Sequence, residues 1–144
     1  MDFENFNCRI CNGKLVPKLN QLVCSNCNFI QHPLQDIRLL KITPEDLKKK
    51  IDNKEEFLIL DVRDKWEYST ANIKNSKFIQ IRELKKNIQN LDKNKLVITV
   101  CHHGLDRSQN AARYLLQNNF KNVKFLECGI EAWSIKIDNS LKRY

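Results

Sequence analysis

An apolar, largely β-branched run, Leu96 to Val100, passes without a break into Cys101-His102-His103-Gly104-Leu105-Asp106-Arg107-Ser108 and then into a helical pattern from Ser108 to Gln117. A run of this composition reads as a strand buried on both faces, the kind found in parallel sheets covered by helices on each side. Parallel strands need crossover helices, and the rest of the chain offers them. Thr43-Pro44-Glu45-Asp46 has the form of an N-cap, a proline at the first helical position and an acidic first turn, opening a helix to about Asn53. Phe57 to Leu60 and Phe78 to Ile81 read as further strands, Arg82 to Leu91 as a helix and Val123 to Leu126 as a late strand. Strands alternating with helices predict an α/β domain.

This order puts the Cys101 thiol at the carboxyl end of a strand, in a loop that leads to a helix N-terminus. Backbone N–H groups and the positive end of the helix dipole converge there, so an anion on or near Cys101 is stabilised and the thiolate is favoured. Gly104 permits a tight turn, and Arg107 adds a planar fork of donors suited to oxyanions. Nucleophilic cysteine chemistry is the leading reading. A buried structural cysteine at a strand end is the alternative.

Three segments, in order, resemble the rhodanese-like sulfurtransferase domain. They are Leu58-Ile59-Leu60-Asp61-Val62-Arg63 followed by Glu67-Tyr68, then Cys101-His102-His103-Gly104 with Arg107-Ser108, and then Gly129-Ile130-Glu131-Ala132-Trp133. The resemblance runs from about Ile42 to Ile137. It implies a parallel five-stranded sheet flanked by helices and a cysteine that carries sulfane sulfur as a persulfide before passing it to a thiophilic acceptor. Carried over by position, Cys101 is the sulfur carrier. His102, His103, Gly104, Leu105, Asp106 and Ser108 supply the loop that holds the anionic donor and persulfide, and Arg107 closes the loop. Asp61 and Arg63 are expected to stabilise the fold.

Two departures accompany the resemblance. The family's usual Gly-His-Ile-Pro-Gly-Ala turn is replaced by Ala71-Asn72-Ile73-Lys74-Asn75-Ser76, which keeps only the isoleucine. The family's loop generally has four residues between cysteine and arginine, whereas His102 to Asp106 makes five. Five is the spacing of cysteine-dependent phosphatases and of arsenate reductases on this fold, so either is an alternative. Asp106 inside the loop would offset part of the attraction for a dianion unless it points outward or acts as a general acid, which favours sulfur over phosphate. A third reading is a rhodanese-like binding module without turnover. Adjacent loop histidines are commonly polar surface; beside a bound sulfur, His102 and His103 would donate hydrogen bonds or exclude bulky donors. Cys128 could resolve an oxidised or persulfidated Cys101, or be a small buried residue near a helix start.

The remaining cysteines form a separate pattern, Cys8-x2-Cys11, twelve residues, then Cys24-x2-Cys27. Two chelating pairs suit one tetrahedral Zn2+ with four thiolates as a structural cofactor, although the span between them is a little short. Gly13 and Asn28 follow the pairs where a knuckle turn is tight, and Leu15, Val16, Leu22 and Val23 can form two short strands. His32 is a reserve ligand. No charged n-region or apolar h-region precedes the cysteines, so disulfides are not expected and the cytoplasm is the expected compartment. About thirty residues here resemble small zinc ribbons of RNA-modifying and translation-associated proteins.

The expected organisation is therefore a zinc-ribbon domain over residues 1–38 and a rhodanese-like domain over residues 39–144, with the boundary in the stretch from His32 to Lys41, where Pro33 breaks the ribbon's tail. The formal charge is +8, which zinc and four thiolates would lower to about +6. From Lys41 onward there are 21 Lys and Arg against 14 Asp and Glu. That excess is compatible with a tRNA-modification partner, an acidic sulfur-acceptor protein or solubility alone. Expected small donors are thiosulfate or a protein persulfide. No run approaches the ~20 apolar residues of a membrane span. Trp66 and Trp133 fall at helix positions and read as packing anchors.

Overall fold

The computed structural model describes residues 7–8, 10–18, 21–31 and 40–144; His32 and most of the expected boundary stretch, Pro33 included, lie outside the described residues. The chain divides into two compact units, Met1–Asp36 and Ile37–Tyr144.

In the first unit, β1 (Leu15–Lys18) and β2 (Gln21–Cys24) form an antiparallel pair with Leu15 opposite Cys24 and Val16 opposite Val23. A third strand, β3 (Ile30–Gln31), pairs antiparallel with β2. Among the described residues of this unit, Cys8, Leu15 and Cys24 form the buried apolar cluster, with Phe29 packed against them. So small an apolar cluster stabilises little by itself, which is the usual condition of a metal-stapled module.

The second unit is a five-stranded sheet made of β4 (Lys41–Ile42), β5 (Leu58–Asp61), β6 (Lys77–Phe78), β7 (Val97–Val100) and β8 (Val123–Leu126), in the order β4-β8-β7-β5-β6. Every pairing is parallel. The helices are α1 (Pro44–Asp52), α2 (Lys65–Thr70), α3 (Leu84–Asn87), α4 (Asp106–Gln117) and α5 (Gly129–Lys136). Alternate residues of the strands feed two cores. Leu60 and Val97 pack with Leu84, Ala111, Ala112 and Leu115 on one face, and Ile59, Ile98 and Val100 pack with Leu47, Ile130 and Trp133 on the other. Both faces are covered, which explains why β7 has no polar alternation. α4 buries Ser108, Ala111, Ala112 and Leu115, a spacing that keeps one stripe on the sheet.

Local signals account for the elements that matched. Thr43 Oγ1 accepts from the Asp46 N–H at 3.1 Å, with Pro44 opening α1 as expected. Two segments differ. The expected helix from Arg82 to Leu91 is a 3-10 turn at Ile81–Glu83, the single turn of α3 and a second 3-10 turn at Ile88–Asn90. Asn87 Nδ2 donates back to the Glu83 carbonyl at 2.8 Å, a side-chain bond that competes with regular helix propagation. The strand expected over Phe78 to Ile81 is an edge strand of two residues. Beyond it the chain makes two more bonds along β5, to the Asp61 and Val62 carbonyls, before Ile81 turns away.

Arg63, fully buried, sits just past β5. It donates Nε to Asp61 Oδ1 at 2.9 Å, and Nη2 to Asp61 Oδ2 at 2.7 Å and to the Ala71 carbonyl at 2.5 Å. This pair ties the end of the strand to the turn that starts at Ala71, as a fold-stabilising role requires. Arg63→Leu strands Asp61 as a buried charge, so it is expected to cost about 3–5 kcal/mol in urea unfolding. Asp61→Leu combined with Arg63→Leu should cost less than Arg63→Leu alone.

Candidate functional site

Cys101 follows the last residue of β7, is 3% exposed, and has its Sγ 3.0 Å from Ser108 Oγ. As a thiol it donates to that oxygen; as a thiolate it would accept from the hydroxyl. Ser108 is held in turn by Thr99, whose Oγ1 donates to the Ser108 carbonyl at 2.7 Å. Between them the loop is pressed against the start of α5. The Ile130 and Glu131 N–H groups donate to the carbonyls of Cys101 (3.0 Å) and His102 (3.1 Å). With these carbonyls directed to α5, the first turn of α4 presents its N–H groups at the other end of the loop, and its dipole adds a partial positive charge.

Two glycines make the approach possible. Gly104 has φ +69°, and a Cβ there would meet the Leu126 carbonyl oxygen at 2.5 Å and Cys128 N at 2.7 Å. Gly129 has φ +60°, and a Cβ there would lie 2.3 Å from the Cys101 carbonyl oxygen. Both positions demand a left-handed backbone and no side chain.

Arg107 does not aim its fork into the loop. Nη1 and Nη2 donate to Glu67 Oε2 and Oε1 at 2.5 and 2.9 Å, an end-on bidentate pair that takes two of the five guanidinium N–H groups and fixes its orientation. Glu67 also accepts from the Asp64 N–H at 2.8 Å, which closes a capping box at the start of α2, and from the Tyr144 hydroxyl at 3.0 Å. Burial alone would push this carboxyl up. The Arg107 guanidinium, the Asp64 N–H and the Tyr144 phenol reverse that and hold it at about 2.

The other loop residues separate by exposure. Gly104 and Ser108 are buried; His103, Leu105 and Asp106 are exposed, so the Asp106 residue faces outward. His102 is half-buried and stacks on His103 with ring centroids 4.1 Å apart. Burial and its histidine neighbour lower the His102 pKa against the pull of Glu131, 3.7 Å away. Cys128 caps α5 in a left-handed conformation, φ 57°, and is exposed rather than buried. Trp133 is a packing anchor at 4% exposure, but Trp66 is not: it is 59% exposed and meets Tyr144 edge-on. Thr99 and Tyr144 carried no signal of their own in the sequence. Glu67 appeared only within a motif.

In the first unit, the sulfurs of Cys8, Cys11, Cys24 and Cys27 all lie within 4.8 Å of one another and could hold a metal ion. Cys8 and Cys27 Sγ are 3.7 Å apart, and Cys11 and Cys24 Sγ 3.4 Å. A tetrahedron with metal–sulfur bonds of ~2.3 Å has sulfurs ~3.8 Å apart, so the cluster fits a single ion. N–H groups of Ile10, Asn26 and Cys27 donate to the buried sulfurs at 3.4 Å. Each pair is followed by an asparagine at positive φ, Asn12 and Asn28. Gly13 serves clearance instead: a Cβ there would lie 3.1 Å from both Cys11 and Cys24 Sγ.

A cysteine held between a parallel strand and a helix N-terminus, on a sheet covered on both faces, defines a class of α/β domain built around one cysteine loop. The rhodanese-like domain family matches residues 43–136, and the chain belongs to it. YtwF of Bacillus subtilis, a "putative sulfurtransferase", is 32% identical over 97 residues, which are 67% of this chain and 92% of YtwF. YrkF of the same organism, a "putative sulfur carrier protein", is 35% identical over 68% of this chain; that match spans about half of YrkF (52%). Among solved structures, a rhodanese-like domain protein from Staphylococcus aureus is 30% identical with a TM-score of 0.63, covering 72% of this chain and 97% of that one. The five-stranded parallel sheet expected from the resemblance is therefore the one observed. Among the described residues, no helix is long and apolar enough to cross a membrane.

Because the folded value of Glu67 lies below that of an ordinary carboxylate, its stabilisation is complete above about pH 4.5 and is lost as pH falls toward 2. Glu67→Gln is expected to lower the thermal midpoint at neutral pH, and the gap to wild type should close on acidification toward about pH 3. An equal gap across that range would show that the Glu67 charge contributes nothing.

Proposed function

We propose that the chain is a sulfurtransferase in which Cys101 carries sulfane sulfur. The observation that supports this best is the placement of one buried thiol beside Ser108 Oγ, in a loop whose carbonyls are bonded to α5. The Cys101 thiolate attacks the outer sulfur of thiosulfate or of a persulfide. A new S–S bond forms, the donor's S–S bond breaks, and sulfite or a thiolate leaves. An acceptor thiolate then takes the outer sulfur and regenerates Cys101. The backbone N–H groups of the loop from His102 to Ser108 hold the anionic donor and persulfide. Arg107 contributes positive charge near Cys101 while its hydrogen bonds go to Glu67, and Ser108 steadies the thiolate.

The five-residue spacing is the observation that favours a phosphatase or arsenate reductase. Against it stands the similarity to proteins named as sulfurtransferases, YtwF among them; Arg107 gives Glu67 one N–H from each Nη and keeps three of its five donors. For the four-cysteine cluster we propose structural Zn2+, because four thiolates suit a borderline-soft ion without redox chemistry. Zinc there would supply folding energy and no open coordination position. The ribbon would dock a sulfur-acceptor protein or a tRNA-modification partner in the cytoplasm.

Intact-mass measurement after reduction and incubation with thiosulfate or a low-molecular-weight persulfide tests the reading. One added sulfur is expected, removable by cyanide and missing in Cys101→Ser. No gain from either donor, with hydrolysis of an aryl phosphate, would establish the phosphatase alternative; no gain and no hydrolysis would leave a binding module. Native mass should show one zinc per chain, and its removal by chelator should unfold the ribbon. Iron at the same position, or unchanged ribbon structure after chelation, would overturn the zinc assignment.

A further inference from the structure

Tyr144 is 77 residues from Glu67 in sequence, yet its hydroxyl touches two of the domain's charged pairs. It accepts from Arg63 Nη1 at 2.6 Å and donates to Glu67 Oε1 at 3.0 Å. Arg63 is the buried partner of Asp61, and Glu67 is the partner of Arg107. The phenol therefore joins two ion pairs that otherwise share no hydrogen bond. Its ring lies against the reactive loop, with centroids 4.2 Å from His102 and 5.1 Å from Trp66. The preceding residue repeats the theme: Arg143 pairs with Glu131, whose backbone N–H holds the His102 carbonyl.

We propose that Tyr144 is a positioning residue for the Cys101 loop, its hydroxyl fixing Glu67 and through it Arg107, and its ring fixing His102. The phenol must keep its proton to donate to a carboxylate. Burial and the Glu67 charge ensure that by raising its pKa to about 12, against the pull of Arg63. With Tyr144 in place, Glu67 receives four donors: the Asp64 N–H, two from Arg107 and the phenol. A carboxylate offers roughly four acceptor sites, so it has no remaining freedom to turn. Removing the phenol gives Glu67 a free lone pair and leaves Arg63 Nη1 without its acceptor. The Arg107 charge beside Cys101 then loses its fixed position.

The inference rests on Cys101 as the reactive group, and its test is separable from sulfur transfer. Alkylation of Cys101 by iodoacetate, an anion, and by iodoacetamide, its neutral analogue, is followed by peptide mass mapping in the full chain. Tyr144→Phe keeps the ring and removes only the hydroxyl. It should slow iodoacetate about three- to tenfold relative to iodoacetamide, the size of one ordinary net hydrogen bond, since the hydroxyl acts on Arg107 only through Glu67. The thermal midpoint should fall, since Arg63 Nη1 loses its acceptor, but a loss of stability alone acts on both reagents alike and leaves their ratio to report the loop. In a Glu67→Gln background the Tyr144→Phe effect should vanish, since the hydroxyl acts through Glu67. Sulfur loading should fall by a similar factor at saturating donor. An unchanged iodoacetate-to-iodoacetamide ratio in Tyr144→Phe would overturn the proposal, as would an effect of equal size in both backgrounds. Should Glu67→Gln fail to fold, the ratio in Tyr144→Phe decides alone. Absence of sulfur loading in wild type would sink the sulfurtransferase reading and leave the alkylation result standing.

Discussion

Register between β5 and β7 is the constraint on which the rest of the site depends. Asp61 pairs with Val100, so the residue after each strand end, Val62 and Cys101, leaves the sheet at the same level. Everything that follows β5, including Arg63, the capping box of α2 and Glu67, is thereby delivered to the edge where the Cys101 loop emerges. A slip of one residue would turn each side chain of β5 to the other face and carry the Asp61–Arg63 pair away from the loop. The parallel arrangement also directs every strand's carboxyl end to one edge, where ligands of open α/β sheets bind.

The charged groups at that edge form a chain rather than a patch. Asp61 holds Arg63, Arg63 holds Tyr144, Tyr144 holds Glu67 and Glu67 holds Arg107. Alternation of sign satisfies groups that would be costly to bury singly. Glu67 illustrates the balance: burial disfavours its charge, and the surrounding donors more than compensate.

Much of this architecture was legible in the residues. The buried β7 run, the cap at Thr43, the cysteine loop and the paired Cys-x2-Cys knuckles each carry a local signal, and the structure has an element or cluster at each. What was not legible depends on distance along the chain. Arg107 looked like a fork open to anions because nothing near it in sequence competes for it; its partner is 40 residues away on α2. Trp66 looked like a core residue because a tryptophan on a short helix usually is, but that helix turns its inner side to the sheet through Glu67 rather than Trp66. The segment from Arg82 to Leu91 has apolar spacing good enough for a helix, and only the Asn87 bond to the Glu83 carbonyl distinguishes it. Thr99 gave no signal for a different reason: threonine is an ordinary strand residue, and only its Oγ1 bond to the Ser108 carbonyl, next to the thiol, shows its role.

The pairing of Arg107 with Glu67 bears on what the loop can do. A guanidinium free to chelate an anion would bind donor, persulfide and leaving group alike, and uniform binding of that kind does not speed a transfer. With Nη1 and Nη2 held by Glu67, the guanidinium is fixed in orientation, and the backbone N–H groups of the loop are fixed by Gly104 and Gly129, so neither can follow a departing anion. Arg107 is left as a charge with a set position. On the proposed reading this suits a carrier that must give sulfur up as readily as it takes it: the persulfide is stabilised enough to form, but no mobile cation clamps it in place. The same geometry sets a demand on the rest of the domain. A charge that acts by position requires its partners to be rigid, and the buried Asp61–Arg63 pair is the rigid element to which that position is anchored.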